Sequence, residues 1–240
     1  MALLTTKAIV IGVIKYSDTS LIAKLYTESD GLKSYMLKGI LKSKKGKLKP
    51  AYFQPLTLLN ITASHNAKGR LNTIRDTHVQ YPSISIYKNV IKQSIVLFLS
   101  EILSSSIQEE EPNPRLYEFL ENAIYWLDNH DKVSNFHLLF LLNLTKFLGF
   151  YPDVSDNGKN GFNLIEGIFT DLTNANDTIS GEKLIQFKRL LGIDFDSVEN
   201  ILFHKSERQL ILQIIIRYFE LHLDGFKKPK SLNILEAVFS

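Results

Sequence analysis

The chain has 240 residues, 45% of them hydrophobic and 22% charged, so it can bury one large core or two modest ones. It contains no cysteine, which excludes disulfides, thiol catalysis and thiolate-bound zinc. Its charge is unevenly divided. Residues 1–80 hold 13 Lys+Arg against 4 Asp+Glu (+9), and residues 81–240 hold 15 against 21 (−6), which together give the net charge of +3. A basic first part joined to a mildly acidic remainder predicts a polyanion-binding domain on a different kind of body.

Membrane and export signals are not apparent in the sequence. No apolar run reaches the roughly 18 to 20 residues that cross a bilayer. The first residues lack the basic start and small-residue cleavage site of a signal peptide. We therefore expect a cytoplasmic protein that does not associate with membranes.

Residues 5–81 predict five short β-strands, because runs of β-branched or alternating apolar residues are separated by turn residues. The predicted strands cover residues 6–15, 21–26, 32–37, 52–62 and 71–79. This pattern favours a five-stranded Greek-key barrel of the OB type, with a five-stranded SH3-like barrel as the alternative. We assign residues 1–81 to this domain.

The lysine-rich segment within this domain, residues 38–50, contains no acidic residue. Its ammonium groups can neutralise phosphates without reading bases, and nearby aromatic rings offer stacking faces for unpaired bases. The alternative is a solvated surface loop whose neighbouring aromatics belong to the barrel core. The candidate DNA-binding residues are Lys33, Tyr35, Lys38, Lys42, Lys44, Lys45, Lys47, Lys49 and Tyr52.

From residue 82 the apolar residues recur at helical spacing. The predicted helices cover residues 87–102, 116–127, 134–149 and 206–218. The helix over 134–149 is apolar on nearly all sides and is expected to be central. Two segments, one beginning at Ser206 and one at Asp196, have capping-box spacing. The fold class is therefore α+β, an OB-type barrel followed by an all-α domain over residues 82–240, with a loop-rich insertion at about 151–178.

No catalytic or metal-binding motif is apparent. The six histidines lack HExxH or other close metal spacing, and there is no P-loop, GxGxxG or GxSxG. The acidic pairs at residues 153/156 and 194/196 lie in turn-like or cap-like contexts, and His137 lies in an apolar helix, where a packed imidazole is expected. We predict a protein that is not an enzyme and requires no cofactor.

The last part of the chain, residues 218–239, predicts an amphipathic helix, a basic turn and a short apolar helix. Basic residues beside an apolar groove suit an acidic partner segment that ends in a hydrophobic residue. The alternative is a final helix packed into the bundle, with lysines at a helix end. The candidate partner-binding residues are Arg217, Lys227, Lys228 and Lys230.

Several short motifs occur in a characteristic order. The first part of the chain contains Ser20-Leu21-Ile22, Leu25-Tyr26-Thr27, Gly31-Leu32, Lys38-Gly39 and Gln54-Pro55-Leu56. The middle contains Phe147-Leu-Gly-Phe-Tyr-Pro152, and the last part contains Tyr218-Phe-Glu-Leu-His and Lys230-Ser-Leu. In this order and spacing the chain resembles the RecO family of recombination mediators over essentially its full length. Many members of that family carry a four-cysteine zinc site after the middle motif. Residues 152–171 of this chain contain no cysteine, so the resemblance implies no zinc here.

The resemblance implies an OB domain followed by a helical domain. It also implies binding of single- and double-stranded DNA, strand annealing, and help in loading RecA onto DNA covered by single-strand-binding protein. The implied partners are RecR and the C-terminal tail of that single-strand-binding protein, with RecA indirectly, in the cytoplasm and at the nucleoid. The alternatives are an OB-fold adaptor that binds a polypeptide and an RNA-binding protein without DNA-annealing activity.

Overall fold

The computed structural model describes residues 3–42, 47–65, 71–108 and 110–239. The strands are β1 (Leu3–Lys15), β2 (Leu21–Thr27), β3 (Gly31–Leu37), β4 (Leu58–Ser64), β5 (Thr73–Val79), β6 (Gly161–Asn163), β7 (Ile168–Thr170) and β8 (Thr178–Ser180). The helices are α1 (Ile84–Lys88), α2 (Val90–Ser106), α3 (Pro114–Asn129), α4 (Phe136–Leu148), α5 (Gly181–Lys188), α6 (Phe195–Val198), α7 (Lys205–His222) and α8 (Leu232–Val238).

The first five strands form one antiparallel sheet in the order β3-β2-β1-β4-β5. Because side chains alternate across a strand, each strand presents one face to the core cluster of the sheet and the other to the opposite side, where Ile9 and Ile11 of β1 are also fully buried. The inward residues are fully or almost fully buried: Ala8, Val10, Ala23, Leu25, Tyr35, Leu37, Leu59, Ile61, Ala63 and Ile74. The prediction of five strands in an OB-type domain is confirmed, although the fourth strand is shorter than predicted.

Among the described residues, hydrogen bonds do not close the sheet into a barrel, which corrects the prediction of a barrel. One isolated parallel bridge joins Tyr35 to Asn72, the residue just before β5. In it, Met36 N donates to Asn72 O at 2.9 Å and Asn72 N donates to Ser34 O at 3.0 Å. The two edge strands therefore meet at one point rather than along a ladder, as in the partly open OB architecture.

The segment before β4 differs from the predicted strand over 52–62. Residues Pro50–Phe53 form a 3₁₀ turn with Pro50 at its start, and β4 begins only at Leu58. Proline has no N–H to give to a sheet and is favoured at the first position of a helix or turn. Phe53 is buried in the sheet core, so this turn anchors the chain just after the lysine-rich segment.

The first predicted helix is divided into α1 and α2 at Asn89. The Asn89 side chain accepts hydrogen bonds from Ile91 N at 2.9 Å and Lys92 N at 3.2 Å, which caps α2. The compact unit that contains the sheet includes α1, α2 and α3 and extends to Asn129. The predicted boundary between two functional domains at residues 81 and 82 rests only on the change from strands to helices in the sequence. It therefore stays a prediction.

The second compact unit covers residues 130–240. Its helix α4 is buried along most of its length and packs against α7. Gly149 ends α4 with φ of 84°, the left-handed conformation that glycine adopts without strain. The prediction of a central apolar helix is thus confirmed.

Two helix starts differ from the predicted capping boxes. Helix α7 is preceded by His204 rather than Ser206, and His204 N donates to Glu207 Oε2 at 2.6 Å. Asp194, rather than Asp196, caps α6 by accepting from Ser197 N at 2.8 Å. In both cases a carboxylate within two residues of the one that the spacing favoured accepts the hydrogen bond from a backbone N–H at the helix start.

The loop-rich insertion contains a small antiparallel sheet in the order β7-β6-β8. Its core is aromatic: the Phe162 ring lies 5.1 Å from Phe169, 5.2 Å from Phe187 and 6.0 Å from Tyr218, measured between centroids. We name Phe162, Phe169, Phe187 and Tyr218 the aromatic cluster. It joins the small sheet to α5 and α7. Within the described part of the chain, no helix is long and apolar enough to cross a bilayer.

Candidate nucleic-acid interface

The lysine-rich segment is fixed to the sheet at both of its ends. On the first side, Ile40 is 3% exposed and packs into the sheet core. Leu41 N donates to Thr19 O at 3.1 Å, and Gly39 N donates to the Ser20 hydroxyl at 3.1 Å. On the other side, Leu48 packs against the same core. Residues 43–46, which include the predicted site residues Lys44 and Lys45, lie outside the described residues.

Four lysines of this segment, Lys38, Lys42, Lys47 and Lys49, are exposed. Ile40 and Leu48 pack against the core, whereas the side chains of these four lysines are in contact with solvent. Among the residues that the structure describes, none of the four forms an ion pair or a side-chain hydrogen bond. Ammonium groups with no carboxylate partner are available to neutralise an incoming phosphate.

The remaining predicted lysine, Lys33, has a different environment. Its ammonium group donates to Glu110 O at 3.1 Å and lies 3.3 Å from Glu110 Oε2, with 19% of the side chain exposed. The structure therefore places Lys33 apart from the four exposed lysines, in contact with an acidic segment.

The two predicted stacking residues are also placed differently. Tyr35 is 0% exposed, its hydroxyl is hydrogen bonded to His65 Nε2 at 2.8 Å, and burial raises its pKa. A ring in the sheet core has no face for a base, so Tyr35 is not carried into the proposed site. Tyr52 is half-buried against the core, and Lys49 Nζ lies 5.8 Å from its ring centroid, near the outer limit of a cation–π contact.

An aromatic residue outside the predicted site is exposed beside the lysines. Tyr16, in the loop between β1 and β2, is 63% exposed. The same loop holds Leu41 and Gly39 through the hydrogen bonds described above. The sequence feature that could have indicated this exposure is the position of Tyr16 in the turn region after a strand. An aromatic side chain there has no neighbouring strand to cover it.

A second region, between α7 and α8, brings together some of the predicted partner-binding residues. A cavity of about 130 Å³ is lined by Leu212, Gln213, Ile216, Arg217, Glu220, Lys228 and Leu232. We name it the α7–α8 groove. Arg217 and Lys228 line it together with three apolar side chains, whereas Lys227 and Lys230 are exposed outside its lining.

Both basic residues of the α7–α8 groove already have acidic neighbours. Arg217 makes a bidentate contact with Asp177, with Nε at 2.8 Å from Oδ1 and one terminal nitrogen at 3.1 Å from Oδ2. Lys228 Nζ lies 3.1 Å from Glu220 Oε1, and Glu220 Oε2 lies 3.6 Å from Arg217. An acidic ligand of this groove would therefore compete with Glu220 for both cations.

Comparison with known proteins identifies the family. A family model described as the recombination protein O N terminal matches residues 1–82, and one described as the recombination protein O C terminal matches residues 88–232. A protein of Flavobacterium psychrophilum named DNA repair protein RecO is 49% identical over 235 residues, 98% of each chain. The chain belongs to the RecO family.

Other relatives with the name DNA repair protein RecO occur in Flavobacterium johnsoniae, at 48% identity over 98% of each chain, and in Bacteroides fragilis, at 34% identity over 98% of each chain. The full-length resemblance found in the sequence is thus confirmed. Membership of the RecO family gives this chain a role in DNA repair and recombination.

Residues 152–171, where the family resemblance would place a zinc site, have a different chemistry here. Among the described residues, no three His, Asp or Glu side chains are grouped so that they could hold a metal ion. Asp153 accepts from Ser155 N at 2.9 Å, which lowers its pKa, and Asp156 accepts from Lys159 Nζ at 2.7 Å. These carboxylates stabilise turns of the RecO-family insertion, as their sequence context predicted. His137 is 2% exposed, and burial lowers its pKa to about 3.

Proposed function

We propose that this RecO-family protein is a non-enzymatic recombination mediator that binds single- and double-stranded DNA through its lysine-rich segment. The observation that carries the proposal is the set of four exposed lysines, Lys38, Lys42, Lys47 and Lys49, which have no carboxylate partner among the described residues. Lys44 and Lys45 add to the same segment in sequence. Lysines on a turn make phosphate contacts without base readout, so the proposed binding has little sequence preference.

Strand annealing follows from the same chemistry. Two DNA strands repel each other through their phosphates, and a cationic surface lowers this repulsion when it holds both strands close together. The protein needs no catalytic group for this step, since base pairing itself supplies the driving force. We propose that the annealing of complementary strands is its activity on DNA alone.

The α7–α8 groove supports a further part of the proposal, the binding of the C-terminal tail of single-strand-binding protein. An acidic segment that ends in a hydrophobic residue would place its apolar end against Leu212, Ile216 and Leu232 and its carboxylates near Arg217 and Lys228. Lys227 and Lys230 would contribute long-range attraction from outside the groove. Docking to that tail, together with RecR, would bring the protein to covered DNA in the cytoplasm or nucleoid and assist RecA loading.

A charge-reversal experiment tests the DNA-binding part. The triple variant K42E, K47E and K49E removes three proposed phosphate contacts. Affinity for single-stranded DNA should fall at least ~10-fold in low salt, and the slope of log affinity against log salt should flatten by about 2. The control K132E, K183E and K205E changes three exposed lysines of the second unit and the net charge by the same amount. Equal losses in both variants would mean that net charge, and not this segment, controls binding.

An annealing assay tests the activity. The protein should accelerate the pairing of complementary oligonucleotides, and this acceleration should persist on strands covered by single-strand-binding protein. Removal of that protein's C-terminal tail should abolish the effect on covered strands and leave naked strands unchanged. Equal-length RNA competitors separate DNA binding from RNA binding. A protein that binds DNA but anneals nothing would refute the proposed activity.

A further inference from the structure

On the face of the first sheet opposite the core cluster, an apolar row crosses three strands, and two of its residues, Ile14 and Ile22, line a cavity together with residues of α2. Ile14 pairs with Ile22, and Ile22 pairs with Met36, so the three residues lie side by side on β1, β2 and β3. Ile14 is 64% exposed, and Ile22 and Met36 are half-buried. This row lies at the end of the sheet where β3 leads into the lysine-rich segment.

Tyr16 continues this row beyond the end of β1. It is two residues after Ile14, at the start of the loop that joins β1 to β2. Its backbone is fixed: Tyr16 N and Ser17 N donate to Ser20 O at 3.0 and 3.2 Å. Its side chain has no hydrogen bond or ring contact with the described residues, although 63% of the residue is exposed. A fixed backbone with an uncovered ring is unusual for a residue that serves only the fold.

The charge around Tyr16 indicates what the ring would bind. The bonds from Leu41 N to Thr19 O and from Gly39 N to the Ser20 hydroxyl hold residues 38–42 against the Tyr16 loop. Lys38 and Lys42 are therefore presented at the same end of the sheet as the ring. An aromatic face beside unpaired cations is the combination that binds single-stranded nucleic acid, with stacking for the base and ammonium groups for the phosphate.

We propose that Tyr16 is the base-stacking residue of this protein and that the row Ile14, Ile22 and Met36 forms the adjoining apolar surface for unpaired bases of single-stranded DNA. The inference rests on the proposed DNA binding and adds a distinction between DNA forms. Lysines contact the phosphates of single and double strands alike, whereas Tyr16 contacts bases that only a single strand exposes. Tyr16 thus provides the preference for unpaired DNA that the lysines cannot supply.

The test compares Y16A, Y16F and wild type by fluorescence anisotropy with a thymidine 20-mer and with a duplex of equal length. Loss of one stacking contact should weaken binding of the 20-mer by about 5- to 150-fold. Binding to the duplex should change less than about 2-fold, and the salt slope for the 20-mer should be unchanged because no phosphate contact is lost. Y16F keeps the ring and should bind as wild type. L202A, which truncates an 82% exposed side chain, is the control for removal of an exposed apolar group.

An abasic 20-mer separates the possible failures. Wild type should bind it at least as weakly as Y16A binds the thymidine 20-mer, because it offers no base to the ring or to the apolar row, and Y16A should distinguish the two oligonucleotides less than wild type does. If wild type binds neither the 20-mer nor the duplex, the proposed function itself fails. If wild type binds both and Y16A matches it on the 20-mer, DNA binding stands and the stacking role is refuted. Equal weakening of the 20-mer and the duplex in Y16A, or a lowered melting temperature in Y16F, would assign Tyr16 a structural role instead.

Discussion

The aromatic cluster should stabilise the second unit by packing the small sheet against α5 and α7. Phe162 is the central ring of this cluster, with 0% exposure and ring partners at 5.1, 5.2 and 6.0 Å. The substitution Phe162→Ala removes the buried ring and leaves a cavity between the small sheet, α5 and α7. Truncation of a fully buried phenylalanine to alanine lowers the free energy of unfolding by about 4 kcal/mol. Phe162→Leu keeps most of the apolar volume and should cost ~1.5 kcal/mol.

Thermal unfolding followed by circular dichroism measures these costs. A shift of about 4 °C per kcal/mol gives a fall in Tm of ~16 °C for Phe162→Ala and ~6 °C for Phe162→Leu. The control Leu172→Ala lies in the same insertion but is 72% exposed, so its Tm should stay close to wild type. A chelator should leave the wild-type Tm unchanged, because no group of three metal-ligating side chains occurs among the described residues. A Tm for Phe162→Ala equal to that of Leu172→Ala, or a wild-type Tm that falls with chelator, would refute this reasoning.

Three other predictions concern charge. The free energy of unfolding should fall by roughly 1.4 kcal/mol per pH unit below 6.5, because the unfolded chain protonates His137 while burial holds its folded pKa at about 3. His137→Leu should remove this dependence in urea titrations between pH 5 and 7, and His78→Gln, an exposed control, should retain it. Glu220→Gln should tighten binding of an acidic, phenylalanine-ended peptide by about 2- to 5-fold in anisotropy, since Arg217 and Lys228 lose a competing carboxylate; weaker binding would exclude the α7–α8 groove. Lys33→Gln should change DNA affinity and its salt slope less than Lys42→Gln, because Glu110 already neutralises Lys33; the opposite order would contradict the assignment.

Much of the sheet could be predicted from the sequence because strand alternation is a local signal. The same alternation also contained the information that Tyr35 faces inward, since it lies two residues before Leu37 on β3 and both are in the core. Tyr35 was instead predicted to stack on bases because it lies close to the lysine-rich segment in the sequence. Tyr16 lies outside any strand in a loop, where no period distinguishes a covered ring from an exposed one.

Features that depend on contacts between residues distant in the chain were harder to predict from the sequence. The three strands of the insertion are each three residues long, too short for a repeating pattern, and they form through the packing of Phe162 on α5 and α7. Of the four basic residues predicted to bind a partner, only Arg217 and Lys228 line the α7–α8 groove. This depends on how the two helices pack, which the sequence does not show. The neutralisation of Lys33 requires Glu110, which is 77 residues away in the chain.

The contact between Lys33 and Glu110 also makes the two ends of the β2–β3 hairpin differ in charge. Its turn carries Glu28 and Asp30, and Gly31 packs so closely against the backbone of Glu111 that no side chain would fit. The opposite end, about 20 Å away by the rise of a seven-residue strand, leads to Lys38 and Lys42. This separation exceeds the Debye length of about 8 Å, so an approaching polyanion encounters two distinct fields, repulsive at the turn and attractive at the lysines. With DNA bound as proposed at the lysine-rich segment, this polarity would orient the DNA during the encounter, and the association rate should depend on it more than on net charge.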